Sequence, residues 1–302
     1  NRHYFQGQYT RTRSYFANSA MAASGKPDAE EMRFLKSLSS PLDPAVFGEL
    51  PELPDNPDAD ALRRNLKRAQ QLLNEVDTDG VLKNAQGQAF RFEVLGDAPA
   101  FERLATPWIH NLARLGIRVR QRMVDPALYQ KRVSTFDYDV VTTVYPMSST
   151  PGNELLQMLG SAAANDARSG NYAGVADPAV DEIIERILQV RSRDELQLAT
   201  RALDRVLRHG WYMVPQFHSS SYRVAFDWRL RHPGVLPLFY DPQSWLLETW
   251  WRDDEARPVP VAEQADAMDV PLMHLPDLAT ELPSRPAGVP AIGHRAGRFL
   301  TC

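Results

Sequence analysis

The chain has 302 residues, of which 43% are hydrophobic and 24% charged, a globular composition with room for one large or two modest domains. Lys and Arg number 34 and Asp and Glu 38, so the formal net charge is −4, and no basic block of the kind that coats nucleic acid is present. No apolar run approaches the roughly 20 residues that a membrane-spanning helix needs. We therefore expect neither a nucleic-acid binder nor an integral membrane protein.

The single cysteine, Cys302, is the last residue. The sequence therefore offers no internal disulfide, no cysteine cluster for zinc and no thiol nucleophile. The chain opens at Asn1 in sequence that already looks structured, without an initiator Met or a signal peptide. We expect a fragment whose upstream half is missing.

The first half of the chain predicts alternating strands and helices. Residues 1–25 are aromatic and basic, and five prolines within 39–60 predict an extended surface loop. A helix is predicted from about Asp60, because its apolar residues recur at helical spacing. Strands are then predicted over 89–96, 117–123 and 138–145, the last one buried, with helices over 101–112 (kinked or restarted near Pro107) and 126–133. This order predicts an α/β layer in which helices pack on a sheet.

Two helices with clear capping signals follow. Asp177 is the predicted N-cap of the first, Pro178 suits its first turn, and its apolar face includes Ile184 and Leu188. Ser192 and Glu195 form a capping box for the second, which is predicted to end at Gly210. Strands are predicted around 214–217 and 222–226. From about residue 253 seven prolines interrupt a segment without periodicity, which predicts a disordered tail.

Motifs for catalysis and metal binding are absent from the sequence. The nucleophile elbow, the zinc-protease motif, the phosphate-binding loop and the dinucleotide fingerprint do not occur. Residues 75–80 resemble the start of a calcium loop, but position twelve is Gln86, which cannot supply a bidentate carboxylate, so a turn after a helix is favoured. Asp137 and Asp139 could perform acid–base chemistry, although a solvated strand edge is the favoured interpretation.

Two segments carry residues suited to binding. Tyr9–Phe16 interleaves aromatic rings with Arg11 and Arg13, which could stack on a ligand and hold a carboxylate, or could be core rings beside solvated arginines. Extended backbone would place both arginines on one side. Tyr145–Glu154 follows a predicted strand with small hydroxyl and amide residues, as ligand loops of α/β domains do, or is an ordinary strand-to-helix connection.

These segments resemble the periplasmic peptide-binding proteins of ABC importers, solute-binding family 5, in its Yej-type branch. The resemblance covers about residues 1–252 and rests on Tyr9–Gly25, Arg63–Leu66, Phe136–Asp139, Thr150–Glu154, Ser169–Gly174, Asp177–Asp181, Arg201–Leu207 and Trp250–Trp251. It implies a two-lobed α/β protein of the periplasmic-binding-protein kind, of which this chain is the C-terminal half. In that arrangement 1–25 connects the lobes, 26–216 is the distal α/β lobe with a mixed sheet, 217–252 returns to the first lobe, and 253–302 is a tail.

The resemblance also implies a role. We expect an extracytoplasmic protein of the bacterial periplasm that binds oligopeptides or peptide-like molecules and delivers them to a membrane permease, without enzymatic activity, cofactor or metal, and as a monomer. The expected ligand-binding residues are Tyr9, Arg11, Arg13, Tyr145, Ser148, Ser149, Asn153, Glu154 and Asn171.

One departure leaves the ligand open. Better-known peptide binders of the family have an Asp before the proline of the 148–154 loop to hold the ligand's amino group, and this chain has Ser148-Ser149-Thr150-Pro151. Two alternatives remain at this point: a peptide-processing hydrolase that uses Asp137, Asp139 or Glu154, and an isolated fragment without activity.

Overall fold

Short strands and helices alternate along the chain. The computed structural model describes residues 8–73, 80–219, 221–222, 226–227, 229–234, 242–255 and 270–271. The strands are β1 Thr10–Arg11, β2 Arg91–Gly96, β3 Arg118–Met123, β4 Val140–Val141, β5 Phe217–His218, β6 Ser221–Tyr222, β7 Leu230–Arg231, β8 Trp251–Arg252 and β9 Val270–Pro271. The helices are α1 Ala29–Lys36, α2 Ala59–Leu72, α3 Pro99–Ala113, α4 Pro126–Ser134, α5 Glu154–Leu159, α6 Pro178–Ile187, α7 Arg193–Gly210 and α8 Pro242–Thr249.

The main sheet has three parallel strands in the order β3-β2-β4. β2 pairs with β3 along its whole length, and with β4 only at Val94–Val140 and Leu95–Val141. Helices α3 and α4 form the two crossovers, so the predicted β-α-β-α-β unit and the α/β class are confirmed. Parallel and antiparallel pairings both occur, but the antiparallel ones form separate two-stranded ribbons rather than joining this sheet.

Two details of this unit differ from the sequence prediction. The third strand was predicted over 138–145 and as buried, whereas only Val140 and Val141 pair, and residues 140–145 are half-buried. β4 lies at the sheet edge, and a cavity rather than a helix covers its residues, which is why the apolar run is not fully enclosed. Helix α3 continues through Pro107 and is not restarted there.

The main hydrophobic core is helical. α6 and α7 pack against each other with α1 and α5, and bury Leu155, Leu159, Val180, Ile183, Ile184, Leu203 and Leu207 almost completely. Asp177 caps α6 by accepting the N–H of Ala179 at 2.8 Å, and Ser192 caps α7 by accepting the N–H of Glu195 at 3.2 Å. Both predicted caps are confirmed. Leu188, predicted to be on the apolar face of α6, is instead exposed after the helix ends.

A charged pair lies inside this core. Arg205 of α7 and Glu31 of α1 are almost fully buried and joined by an Arg205 Nε–Glu31 Oε1 ion pair of 2.6 Å. The rest of the guanidinium donates to the carbonyls of Ser24, Gly25 and Gly48. A buried charge is tolerable only when paired and hydrogen-bonded in this way, and here the pairing ties two loops to the helices.

A smaller hydrophobic cluster packs beneath the sheet. It consists of Leu82, Leu115 and Ile117, covered by apolar residues of α2, α3, β2 and β3. Helix α2 thus starts as predicted, capped by Asp58, and contributes Leu66 and Ala69 to this cluster. The turn predicted over 75–80, except Gly80, lies outside the described residues.

The end of the chain forms short antiparallel ribbons. β5 pairs with β1, β7 with β8, and β6 with β9. The strand predicted over 214–217 starts only at Phe217, and the one predicted over 222–226 is described at Ser221–Tyr222. Most of the predicted tail lies outside the described residues, although Val270–Pro271 pairs with β6. Within the described ranges no helix is both long and apolar enough to cross a membrane.

Candidate functional site

A cavity of about 810 Å³ separates the parallel sheet from the helical core. Its volume falls within the few hundred to 1,000 Å³ typical of ligand sites. β2, α3 and β4 with the loop that follows it form one side, and residues 12–19 and 207–219 form the other. The cavity therefore lies where the two layers of the fold meet.

The sheet side is aromatic and apolar. Phe92 of β2 lies 6.0 Å, centroid to centroid, from Trp108 of α3, and both rings reach the cavity with Phe101. β4 contributes Val140 and Val141, and Tyr145 beyond it contacts Tyr172 edge-to-face at 6.2 Å. Because β4 is an edge strand, a line of backbone runs along the cavity with no second strand beside it among the described residues.

On the side of the cavity opposite the sheet, a buried carboxylate accepts hydrogen bonds from the backbone of the lining segment. Asp204 of α7 is fully buried and accepts the N–H of Tyr15 at 2.8 Å and of Ala23 at 2.9 Å. These bonds hold residues 15–23 against the helix, and residues 15–19 line the cavity. Burial raises the pKa of Asp204 to about 6, although the two amides and Arg208 favour its charged form.

Charged side chains on the cavity wall are mostly cationic. Arg13, Arg193 and Arg208 line it, against one carboxylate, Asp139. Burial lowers the pKa of Arg208, Asp204 offsets part of that effect, and Arg205 and Arg13 lower it further. The wall therefore favours a ligand with an anionic group near Arg13 and Arg208.

The tyrosine hydroxyls of the wall stay neutral. Burial is the main cause that raises the pKa values of Tyr15, Tyr138, Tyr145 and Tyr212. Tyr138 donates to the carbonyl of Tyr172 at 2.9 Å, and Tyr212 donates to Asp177 Oδ2 at 3.2 Å. These rings offer apolar faces and neutral hydroxyls, which suit a ligand that mixes apolar and polar groups.

Four of the nine predicted ligand-binding residues lie on the cavity wall: Arg13, Tyr145, Ser148 and Ser149. Arg13 is exposed and has no hydrogen-bond or ion-pair partner among the described residues. Arg193 fixes the 148–149 loop by donating to the carbonyl of Ser149. The structure thus brings the two predicted segments together at one cavity.

Tyr9 and Arg11 lie outside that wall. Tyr9 is buried and packs edge-to-face on Phe217 at 5.2 Å, and Arg11 is half-buried, with its pKa lowered by burial. Arg13 lines the cavity wall and Arg11 does not, so the structure does not bring both predicted guanidinium groups to the cavity. The pairing with residues 216–218 continues past β1, since the Thr12 N–H donates to the Gln216 carbonyl at 3.2 Å.

Asn153, Glu154 and Asn171 also lie away from the cavity wall. Asn153 and Glu154 begin α5, and Glu154 Oε1 is buried. Asn171 is 0% exposed, donates to the carbonyls of Gly160 and Val175, and accepts the N–H of Val175 at 2.8 Å. Its amide therefore ties the end of α5 at Gly160 to Val175, in the loop that precedes α6.

The carboxylates considered for hydrolysis do not converge. Asp137 is exposed and pairs with Arg132 at 2.9 Å, and Asp139 accepts the N–H of Glu93 at 2.8 Å. Glu154 belongs to the separate α5 region. Across the described ranges no three His, Cys, Asp or Glu side chains are grouped to hold a metal ion.

Sequence reasoning missed the part of the wall that α7 and the following turn provide. Arg208, Trp211 and Tyr212 line the cavity. From the sequence, Arg208 is expected only within the helix predicted to end at Gly210, and neither Trp211 nor Tyr212 is singled out. The signal available in the sequence was three aromatic or cationic residues clustered around a helix-ending glycine.

A family model covers the first half of the chain. The model of the bacterial extracellular solute-binding proteins, family 5 Middle, matches residues 3–167. The chain is 37% identical over 264 residues to the uncharacterized protein y4wM of Sinorhizobium fredii (strain NBRC 101917 / NGR234), covering 86% of this chain and 39% of that protein. It is 34% identical over 255 residues to the probable peptide-binding protein YejA of Agrobacterium fabrum (strain C58), covering 83% and 41%.

Among solved structures, the oligopeptide-binding protein AppA of Bacillus subtilis, in complex with a nonapeptide, matches with a TM-score of 0.48 and 15% identity. That alignment covers 78% of this chain and 47% of AppA. The chain spans about two fifths of the length of the relatives named above.

Proposed function

The chain belongs to the bacterial extracellular solute-binding proteins, family 5, as its motifs predict, and we propose that it contributes to a periplasmic peptide-binding protein that serves an ABC importer. The protein binds oligopeptides or peptide-like molecules and releases them to a membrane permease. The relative named as a probable peptide-binding protein supports the ligand class. The observation that carries the proposal is the 810 Å³ cavity between the layers.

The cavity suits an extended peptide in three respects. Its aromatic sheet side offers apolar surface for side chains. The outer edge of β4 can pair with the main chain of an added strand, which gives affinity that depends little on peptide sequence. Arg13 and Arg208 can hold a carboxylate, and a guanidinium can do so with two parallel hydrogen bonds.

We propose direct ligand contact only for those of the nine predicted residues that line the cavity. Arg13, Tyr145, Ser148 and Ser149 stand on the wall and are the direct candidates. Asn171 acts on the wall through the adjoining Tyr172 and Ala173, which line the cavity. Ligand contact by Tyr9, Arg11, Asn153 and Glu154 stays a prediction. No observation favours a hydrolase, since the candidate carboxylates are separately engaged or located elsewhere.

Peptide binding by the full-length protein tests the proposal. We expect calorimetry with short peptides to give saturable binding, and mass spectrometry to recover every bound peptide intact. Arg13→Ala should weaken binding by about 1.5–3 kcal/mol, the scale of a hydrogen bond to a charged group. Arg114→Ala removes an exposed arginine away from the cavity and should leave affinity unchanged.

Two outcomes would contradict the proposal. If no peptide binds, peptides are not the ligands of this protein. Recovery of cleaved peptides would replace the transport role with a hydrolytic one.

A further inference from the structure

Trp211, the residue that follows α7, has an unusual backbone conformation. Its φ of +53° lies in the left-handed region, which only glycine adopts at no steric cost. For a bulky side chain this conformation is a genuine outlier and costs roughly 1–2 kcal/mol. Helices that end with a left-handed residue usually have glycine at that position.

The glycine of this helix end is one residue earlier and serves another purpose. A Cβ at Gly210 would collide with the ring of Tyr212, so glycine is needed there for that ring to pack against the backbone. Tyr212 is further held by its hydroxyl bond to Asp177, the cap of α6. The turn thus holds Tyr212 in place, and the left-handed backbone position falls on Trp211 instead of on a glycine.

Burial of the Trp211 side chain does not compensate for this backbone strain. The Trp211 side chain is 58% exposed, and its ring contacts no other aromatic ring among the described residues. It lines the cavity, three residues after Arg208 on the same wall. An exposed indole in a strained backbone conformation contributes nothing evident to stability, which points to a role in binding.

We propose that Trp211 is a specificity-determining residue whose indole stacks on an aromatic side chain of a peptide ligand. The left-handed turn is retained because it directs the ring into the cavity rather than along the α7 surface. This inference rests on the proposed function and adds a preference for aromatic peptides. Neighbouring Arg208 places a cation beside the stacked ring for a ligand carboxylate.

The test compares two tripeptide mixtures of equal complexity on the full-length protein. One mixture carries Phe, Tyr or Trp at a single position, and the other contains only Ala, Ser and Gly. Captured peptides are quantified by mass spectrometry. The wild-type protein should enrich the aromatic mixture about five- to ten-fold, the scale of an aromatic stacking contact.

Trp211→Gly separates binding from stability. The substitution should remove most of the enrichment while the melting temperature stays equal or rises, since glycine suits the left-handed position. Asparagine also tolerates the left-handed conformation, so Trp211→Asn should likewise lose most of the enrichment without a fall in melting temperature. Trp251→Ala removes an exposed indole outside the cavity and should change neither readout.

The alternative outcomes are distinct. Retained enrichment in Trp211→Gly overturns the inference, because Trp211 then has no role in aromatic preference. A melting temperature lowered by several degrees in both variants also overturns it, because Trp211 then has a structural role. Peptide capture without aromatic preference by the wild type overturns the inference and leaves the proposed function intact. Capture of no peptide from either mixture overturns both.

Discussion

Individual buried charges organise this protein at the residue scale. Asp204 and Arg205 are neighbours on α7 and both are fully buried, yet they serve different segments. Asp204 holds the cavity-lining segment after Tyr15 through backbone amides. Arg205 holds Glu31 and the loops at Ser24 and Gly48. Two adjacent side chains of α7 thereby hold the segment between Tyr15 and Gly48 at several points along its length.

Asp204 should make stability depend on pH in an uncommon direction for a carboxyl group. Its pKa is raised to about 6 in the fold, against an ordinary value of 3.8. Between those values the folded chain holds a proton that the unfolded chain has released, so lowering the pH stabilises the fold. Relative to Asp204→Asn, the wild type should gain up to about 3 kcal/mol between pH 7 and pH 4.

Urea unfolding of both proteins at each pH measures that difference. The comparison with Asp204→Asn cancels the titration of all other groups. A difference that stays constant, or that shrinks as the pH falls, would show that the two amides and Arg208 outweigh burial and keep Asp204 charged in the fold.

The buried Arg205–Glu31 pair should be much more sensitive to substitution than a surface pair on the same helix. Glu31→Gln leaves the Arg205 charge buried without its counterion, and we expect a loss of about 3–5 kcal/mol of unfolding free energy. Glu30→Gln removes the exposed partner of Arg33 at 3.6 Å and should cost less than about 1 kcal/mol. Chemical denaturation of both variants gives the comparison, and equal losses would contradict the assignment.

At the scale of elements, local sequence signals predicted the helices better than the strands. Asp58, Asp177 and Ser192 each accept a backbone N–H of the first helical turn, which is the usual role of Asp and Ser at a helix N-cap. The edge strand β4 was overestimated, because a run of Val and Thr indicates strand character but not whether a neighbour is present to pair with. Pairing partners come from other parts of the chain.

Gly116 joins α3 to β3 at a place where only glycine fits. Its φ is +76°, and a Cβ would lie 2.6 Å from the Leu82 nitrogen and 2.8 Å from the Gly80 carbonyl oxygen. We expect Gly116→Ala to destabilise the chain by more than about 3 kcal/mol, because backbone must move to admit the methyl group. Gly87→Ala has a similar φ of +74° in open space and should cost only the conformational term, about 1–2 kcal/mol.

Thermal or urea unfolding of the two alanine variants separates steric from conformational cost. Equal destabilisation would show that the contact between Gly116 and the 80–82 segment relaxes freely.

At the scale of the whole molecule, the cavity exists because two separately packed layers meet. The sheet with its small cluster and the helical core each bury their own apolar residues. Their contact surface is lined by Arg13, Arg193 and Arg208 and by rings such as Phe92 and Tyr145 that also pack against one of the two cores. Such a junction is where ligand sites of layered proteins commonly lie.

The end of the chain gives a prediction at the same scale. Residues 253–302 have no apolar stripe to offset an ordering cost of roughly 1–2 kcal/mol per residue. Limited digestion with a protease of broad specificity should therefore cut near Arg257 and leave a stable core. Intact-mass analysis identifies the cut. Since Val270–Pro271 pairs with β6, protection as far as Arg285 would show that the folded part extends beyond β9.

The sequence by itself determined the α/β class, the alternating order of three strands and two helices, and the caps of α6 and α7. These follow from periodicity and from contacts within a few residues, which are visible in any single segment. It also determined the family, because the motifs recur in order over most of the chain.

Tertiary structure alone decided which polar residues reach the cavity. Arg11 and Arg13 are two residues apart, yet only Arg13 lines the wall, while Arg11 is half-buried in the strand that pairs with β5. Trp211 reaches the same wall through a turn whose geometry depends on Tyr212 packing over Gly210. The placement of β1 beside β5 depends on contacts between segments some 200 residues apart, and no local pattern encodes the position of that partner.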